Sequence, residues 1–325
     1  MSPMLSIDHL IVELTSGEKT WFGVNGFSFH INQNETVCIT GESGAGKTLS
    51  ILSILGLLPN NARIIEGEIR FNDINLRRSS TQQIREILGK EIGVVFQEPG
   101  SSLNPVMKIG DQISEGFRRK EKYSKKEALQ ASTVLLEKVG FRNPLQIIKQ
   151  FPYQLSGGMQ QRILLAMAIS RKPKLLIADE PTTALDATTQ AQIVELIQQL
   201  KQDLGLTVLW ITHDLSLASR IADRTVIMYA GKTMESAPTQ KILQKPFHPY
   251  TIGLLHSMPQ YAVQHHCPLQ PIKGTAQTDT DSNQCVFYTR CPNARAYCKM
   301  AQPPIKQIAA QHTAACWLHE NQVAA

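Results

Sequence analysis

The sequence predicts an α/β fold with an antiparallel β subdomain and a helical subdomain, closed by a small loop-rich C-terminal region. Three observations carry that reading. Residues 36–55 pass from a short β-branched apolar run, through GESGAGKT, into an apolar run of helical character. Further apolar runs at 92–96, 174–178 and 207–212 each end on a polar or charged side chain, the pattern of buried strands. Beyond Tyr250 the periodicity fades, and four of the six cysteines fall between Cys285 and Cys316.

Taken in order, residues 5–39 alternate apolar and polar, with turn signals at Ser16-Gly17 and Gln33-Asn34. They read as several short strands of an antiparallel sheet. Trp21 and Phe22 lie at a distance upstream of GESGAGKT that allows a ring to stack on adenine, although strands favour aromatics for packing alone. TVCIT at 36–40 reads as a buried strand and residues 49–55 as a helix. Between them Gly41, Glu42, Ser43, Gly44, Ala45, Gly46, Lys47 and Thr48 fit G-x-x-x-x-G-K-[ST]. A strand, glycine loop and helix in that order aim several backbone N–H groups and a helix N-terminus at one spot, which suits a polyphosphate. Gly44 and Gly46 let the backbone come close, Lys47 is placed to reach the β- and γ-phosphates, and Thr48 to hold Mg²⁺. Residues 67–73 read as a further strand and turn.

The run IGVVF at 92–96 ends at Gln97, a side chain that can reach Mg²⁺ or an attacking water, though alone it is an ordinary strand-end residue. Residues 101–155 are more helical and polar and read as a helical insertion. Their basic run, Arg118-Arg119-Lys120 with Lys125-Lys126, reads as a solvated helix face. At LSGGMQQR, Ser156 is a natural N-cap, and Gly157 and Gly158 expose the first N–H groups of the following helix. That is a second helix start favouring an anion. LLIA then delivers Asp179 and Glu180, a pair able to divide the labour. Asp179 is expected to act on Mg²⁺, usually through water, and Glu180 to orient or deprotonate the attacking water. Pro181 stops the strand. Ala184-Leu185-Asp186 leads into a helix whose apolar face is Ile193, Val194, Ile197, Leu200 and Leu204. TVLWIT ends at His213, placed to contact a γ-phosphate.

Composition narrows the classes. Apolar content is 42% and the net charge of +6 is mild for 325 residues, which fits scattered surface lysines better than a nucleic-acid or lipid-binding face. No apolar run approaches the roughly 20 residues of a membrane helix. The first five residues show no basic-then-apolar signal, so the chain is expected in the cytoplasm. Clustered cysteines there point to metal before disulfide.

The order GESGAGKT, FQ, LSGGMQQR, LLIADEP, TALD and THD resembles the ATP-binding subunits of ABC transporters, from residue 5 to about 250. The resemblance implies a P-loop at Gly41–Thr48, a Q-loop at Gln97 and a signature at Ser156, Gly157 and Gly158. It places Asp179 and Glu180 in Walker B, Asp186 in the D-loop and His213 at the switch. It also implies a head-to-tail pair of subunits enclosing two ATP molecules, the signature serving the ATP of the opposite subunit. GLLP at 56–59, FQEP with SLNP at 96–105 and HPYT at 248–251 are similar to oligopeptide/dipeptide importer ATPases, more to the first of their two ATPases than the second. Two departures, Ala45 for a commoner serine or cysteine and Asn34 for a commoner glycine, touch no group with a catalytic role.

The resemblance divides the chain into an ATPase domain at 1–256, its helical subdomain at about 98–170, and a C-terminal extension at 257–325 that opens with a linker to 284. The spacing Cys285-x5-Cys291-x6-Cys298-x17-Cys316 recurs in the tails of this importer group, where it resembles the ligand set of a four-iron four-sulfur cluster. Four thiolates equally suit Zn²⁺. Cys267, beside His265 and His266, stands outside the set, and Cys38 reads as a buried strand residue. The implied partners are a second, non-identical ATPase subunit, two transmembrane permease subunits and an extracytoplasmic peptide-binding protein, with the chain peripheral on the cytoplasmic side of the bacterial inner membrane. No nucleic acid is implied; the competing class is a soluble ABC ATPase acting on nucleic acid, and the competing cargoes are glutathione, a metal chelate or an antimicrobial peptide.

Overall fold

The computed structural model describes residues 2–120, 123–183, 185–264, 266, 268–275 and 283–319. Ala184, His265, Cys267 and residues 276–282 of the expected linker lie outside the described residues. The chain forms two compact units, Met1–Ser79 with Trp210–Ala325, and Ser80–Leu209.

The first unit opens with β1 (Leu5–Ser16) and β2 (Lys19–Ile31), then β3 (Thr36–Thr40), α1 (Lys47–Leu55), β4 (Ala62–Phe71) and β5 (Ile74–Asn75). An antiparallel sheet forms in the order β2-β1-β4-β5. The expected several short strands are two long ones. Leu5 and Ile7 are buried on one parity, Leu10 and Val12 on the other, because the register shifts between Ile7 and Leu10. His9, at φ 48°, sits in that shift. An extra residue in one strand flips the side-chain phase without ending the pairing. The turn at Gln33-Asn34 is present, with Asn34 at φ 63°.

The second unit holds α2 (Thr81–Glu91), β6 (Ile92–Val95), α3 (Pro99–Ser102), α4 (Ile109–Lys120), α5 (Lys125–Lys138), α6 (Pro144–Ile147), α7 (Gly157–Ile169), β7 (Leu175–Asp179) and α8 (Ala187–Leu204). Capping boxes at Ser80 with Gln83 and at Ser124 with Glu127 start α2 and α5, satisfying N–H groups that a helix start otherwise leaves unpaired. β6 and β7 pair in parallel, and β7 is buried along its whole length. Arg118, Lys125 and Lys126 are solvent-exposed. β8 (Thr207–Thr212) begins in this unit and ends in the first.

The chain returns to the first unit with α9 (Leu215–Ile221), β9 (Arg224–Tyr229), β10 (Lys232–Pro238), α10 (Thr239–Gln244), α11 (Pro249–His256), α12 (Pro259–Gln264), α13 (Ala296–Met300), β11 (Lys306–Ala309) and β12 (His312–Ala314). β9 is parallel to β3 and antiparallel to β10. The expected loop-rich tail contributes two strands here: β12 pairs with β10, and β11 with β12. The linker, too, starts as the helix α12. The tail has too few apolar residues for a core of its own, so it borrows one. Val286, Phe287, Cys285 and Cys298 join a buried cluster with Tyr229, Ile242, Tyr250 and Leu255. The Phe287 ring centroid lies 5.3 Å from those of both Tyr229 and Tyr250. Among the described residues no helix is long and apolar enough to cross a membrane.

Candidate functional site

The loop between β3 and α1 starts from the buried Gly41 and runs through Ser43 and Gly44, both exposed, to the exposed Thr48 in the first turn of α1. Gly44 and Gly46 adopt φ 78° and 100°, a region that costs glycine nothing. At Gly46 a Cβ would stand 2.4 Å from the Gly23 carbonyl oxygen, so no other residue fits. Lys47 is buried at 6% exposure. Its Nζ donates to the carbonyls of Gly41 (2.8 Å) and Glu42 (2.9 Å). The cation is thus held inside its own loop, where an incoming phosphate can take over those donations. Trp21 is half-buried in β2 opposite Leu14, Phe22 is 38% exposed beside it, and His213 is exposed at the end of β8.

In the second unit Asp179 ends β7 at 3% exposure. Glu180, next along, is forced to φ 45°, a conformation costing a non-glycine residue about 1–3 kcal/mol and characteristic of functional sites. Its Oε2 accepts from Gln97 Nε2 (3.4 Å) and Thr183 Oγ1 (2.9 Å). The strand-end glutamine and the carboxylate therefore meet. A buried carboxylate and an amide oxygen are hard donors of the kind Mg²⁺ takes, so Asp179 and Gln97 of this unit each suit that ion by their chemistry, as the Thr48 hydroxyl of the first unit does by its own.

Ser156 caps α7 as expected, its Oγ accepting from Met159 N at 3.4 Å. Gly158 faces Thr189 of α8, whose Cγ2 a Cβ would meet at 2.4 Å. Thr189 Oγ1 in turn donates to Asp186 at 2.7 Å. Asp186 also accepts from the Thr188 and Thr189 amides as the cap of α8. The Thr189 hydroxyl above all holds its carboxyl below the usual range. Thr189 thus joins the start of α7 to the start of α8.

Cys285 and Cys298 are buried, Cys291 and Cys316 half-buried, and none of the four is in a disulfide. Burial pushes the Cys285 and Cys316 thiols up to about 11, and the neighbouring thiols of the set add to the rise. Against this, the Phe287, Asn293 and Leu318 amides hydrogen-bond Cys285, Cys291 and Cys316. Thiols of this kind, desolvated yet supplied with N–H donors, are the soft donors a metal or cluster takes, but the expected four-cysteine ligand set is not assembled in this structure. No group of three or more His, Cys, Asp or Glu side chains that could hold a metal ion is found among the described residues. Cys38 is fully buried in β3, where desolvation pushes its thiol up, as befits a core residue.

A family model described as "ABC transporter" matches residues 24–183, and one described as "Oligopeptide/dipeptide transporter, C-terminal region" matches 234–298. The chain is 42% identical to the oligopeptide transport ATP-binding protein AppD of Bacillus subtilis (strain 168), over 99% of its own length and 98% of that protein's. The chain belongs to the ABC transporter family. It is also 38% identical to the dipeptide transport ATP-binding protein DppD of Escherichia coli (strain K12), over 96% of each chain. The dimeric, post-hydrolysis ATP-binding cassette MJ0796 bound to ADP and Pi superposes with a TM-score of 0.65 at 26% identity, covering 73% of this chain and 99% of that one. As an ABC ATP-binding protein, the chain binds ATP and is an ATPase. Two residues of this ABC ATPase escaped sequence reading, Thr183 beside Glu180 and Thr189 beside Asp186. Each follows its carboxylate by three residues, a spacing that signals a local hydroxyl contact once the carboxylate is recognised as a cap or turn.

Proposed function

We propose that this ABC ATPase powers the import of di- or oligopeptides. The observation that carries the reading is that the likeness to peptide-transport ATP-binding proteins runs through the C-terminal region as well as the ATPase segment. In this reading residues 1–256 are the ATPase domain, with a helical part at about 98–170, and 257–325 the importer-type extension. Gly41, Ser43, Gly44 and Gly46 cradle the phosphates through their amides, Lys47 takes the β- and γ-phosphates, and Trp21 carries the adenine. Thr48, Gln97 and Asp179 are the proposed Mg²⁺ ligands; the ion supplies charge neutralisation at the phosphates. Glu180 orients or deprotonates the attacking water, and His213 contacts the γ-phosphate. Ser156, Gly157 and Gly158 serve the nucleotide of a partner ATPase, and Asp186 is a further nucleotide-binding residue at the D-loop.

That partner is a similar but non-identical subunit, and the pair works beneath two transmembrane permease subunits fed by an extracytoplasmic peptide-binding protein. The chain is peripheral on the cytoplasmic face of the bacterial inner membrane. Cys285, Cys291, Cys298 and Cys316 are proposed to hold a four-iron four-sulfur cluster, with Zn²⁺ as the rival occupant. The bound group supplies a cross-link among segments of a region short of apolar side chains. The chemistry is tested with Glu180→Gln, which is expected to bind ATP normally while hydrolysis falls by about 10²–10⁴. Wild-type turnover by that variant would remove Glu180 from its role.

A further inference from the structure

Glu42 brings a negative charge into a loop whose ligand is a polyanion, and it is the one acidic residue of GESGAGKT. Its carboxylate is met at two points by Arg290 of the C-terminal region, Nη1 to Oε2 at 2.8 Å and Nη2 to Oε1 at 3.0 Å. The Arg290 side chain is only 5% exposed. Its Nη1 also donates to Tyr229 Oη (3.2 Å) and its Nε to the Lys273 carbonyl (2.9 Å). The guanidinium carbon lies 5.6 Å and 6.0 Å from the ring centroids of Tyr229 and Phe287. From the other side, the Glu42 amide donates to Tyr250 Oη at 3.0 Å, and its carbonyl receives Lys47 Nζ. One loop residue is thus held by its side chain, its N–H and its C=O at once.

A two-point arginine–carboxylate contact with its guanidinium buried and its carboxylate partly exposed is strong and fixed in direction. It has two effects on the loop. It turns the carboxylate towards the tail and neutralises it, and it restrains the backbone between Gly41 and Ser43. Both favour a bound polyphosphate. Arg290 immediately precedes Cys291, so the same turn that carries the thiol carries the guanidinium.

We propose that Arg290 is a positioning residue for ATP: by masking and orienting Glu42, the C-terminal region sets the nucleotide affinity of the loop. The proposal rests on the ATP-binding reading of that loop, and the test separates the two. ATP affinity is measured by titration calorimetry on the full-length chain, in wild type, Lys47→Ala, Arg290→Met, Arg290→Lys and the double variant Arg290→Met/Glu42→Gln. Arg290→Met is expected to weaken ATP about tenfold, the scale of one lost charge-assisted contact. Arg290→Lys, which keeps the charge but cannot make both contacts, is expected to fall between and serves if the methionine variant does not fold. Removing the unmasked carboxylate in the double variant should recover most of the loss, an outcome that general destabilisation would not produce. Wild-type affinity in both single Arg290 variants, or a double variant no better than Arg290→Met, overturns the proposal. Failure of the wild type itself to bind, with Lys47→Ala no different, overturns the nucleotide reading beneath it.

Discussion

His248 precedes Pro249 and is buried to 1% exposure. Its Nδ1 accepts the Tyr250 amide at 3.0 Å, so it caps α11 as a neutral ring. Burial, the largest influence, pulls its pKa from 6.5 down to about 4. Between those values the unfolded chain binds a proton at this position and the folded chain does not. The stability it contributes is therefore complete above pH 6.5 and is lost as pH falls towards 4, about 3 kcal/mol in all. Asparagine can cap the same helix without titrating. His248→Asn is expected to flatten the fall in thermal midpoint between pH 7 and pH 5 relative to wild type; parallel pH profiles would show that the histidine is not its source. At this scale the sequence was legible where a residue acts within its own segment, as Ser156 and Asp186 do. Arg290 was not. Its partner Glu42 is 248 positions away, and nothing in a linear pattern pairs them.

Among elements, the start of α7 gives the sharpest test. Ser156 and Gly157 are exposed, and Gly158 is held against α8 by Thr189. The helix start is therefore open to solvent at Ser156 and Gly157, a position that suits a ligand brought by another molecule. Ser156→Arg is expected to abolish ATP hydrolysis while ATP binding by the isolated chain stays within about twofold, with roughly 1 kcal/mol lost from the missing cap. A proportional loss of binding would place Ser156 at its own chain's nucleotide. The strands β3, β6, β7 and β8 were legible as apolar runs because burial on both faces removes alternation. β1 was harder, since the shift at His9 reverses the alternation midway and mimics a strand end.

For the whole molecule, the four thiols are the widest-reaching element of the tail, spanning residues from beside Phe287 to beside Trp317. Anaerobic purification followed by metal and sulfide analysis is expected to return about four irons and four acid-labile sulfides per chain. Stoichiometric zinc without iron would replace the cluster with a single ion, and no metal would remove the site. The order of the motifs made the ATPase fold legible from end to end. The docking of the tail was not, because β11 and β12 are four and three residues long and gain their stability from a neighbour rather than from their own pattern. Glu235, fully buried, shows how they are held: His312 Nε2 stands 2.6 Å from its Oε1, and the Phe247 and His248 amides donate to the same carboxylate.

That late pairing has a consequence for biosynthesis. Among the described residues β10 pairs in its sheet with β9 along one side and with β12 along the other, and His312 of β12 is translated 77 positions after Glu235. At about 5–20 residues per second, the interval is roughly 4–15 s. Throughout it a growing chain carries an uncovered strand edge, the kind of surface on which a foreign strand can add. The ribosome thus delivers the protective hairpin well after the strand it covers, and until it arrives a newborn chain is open to joining its neighbours on the polysome.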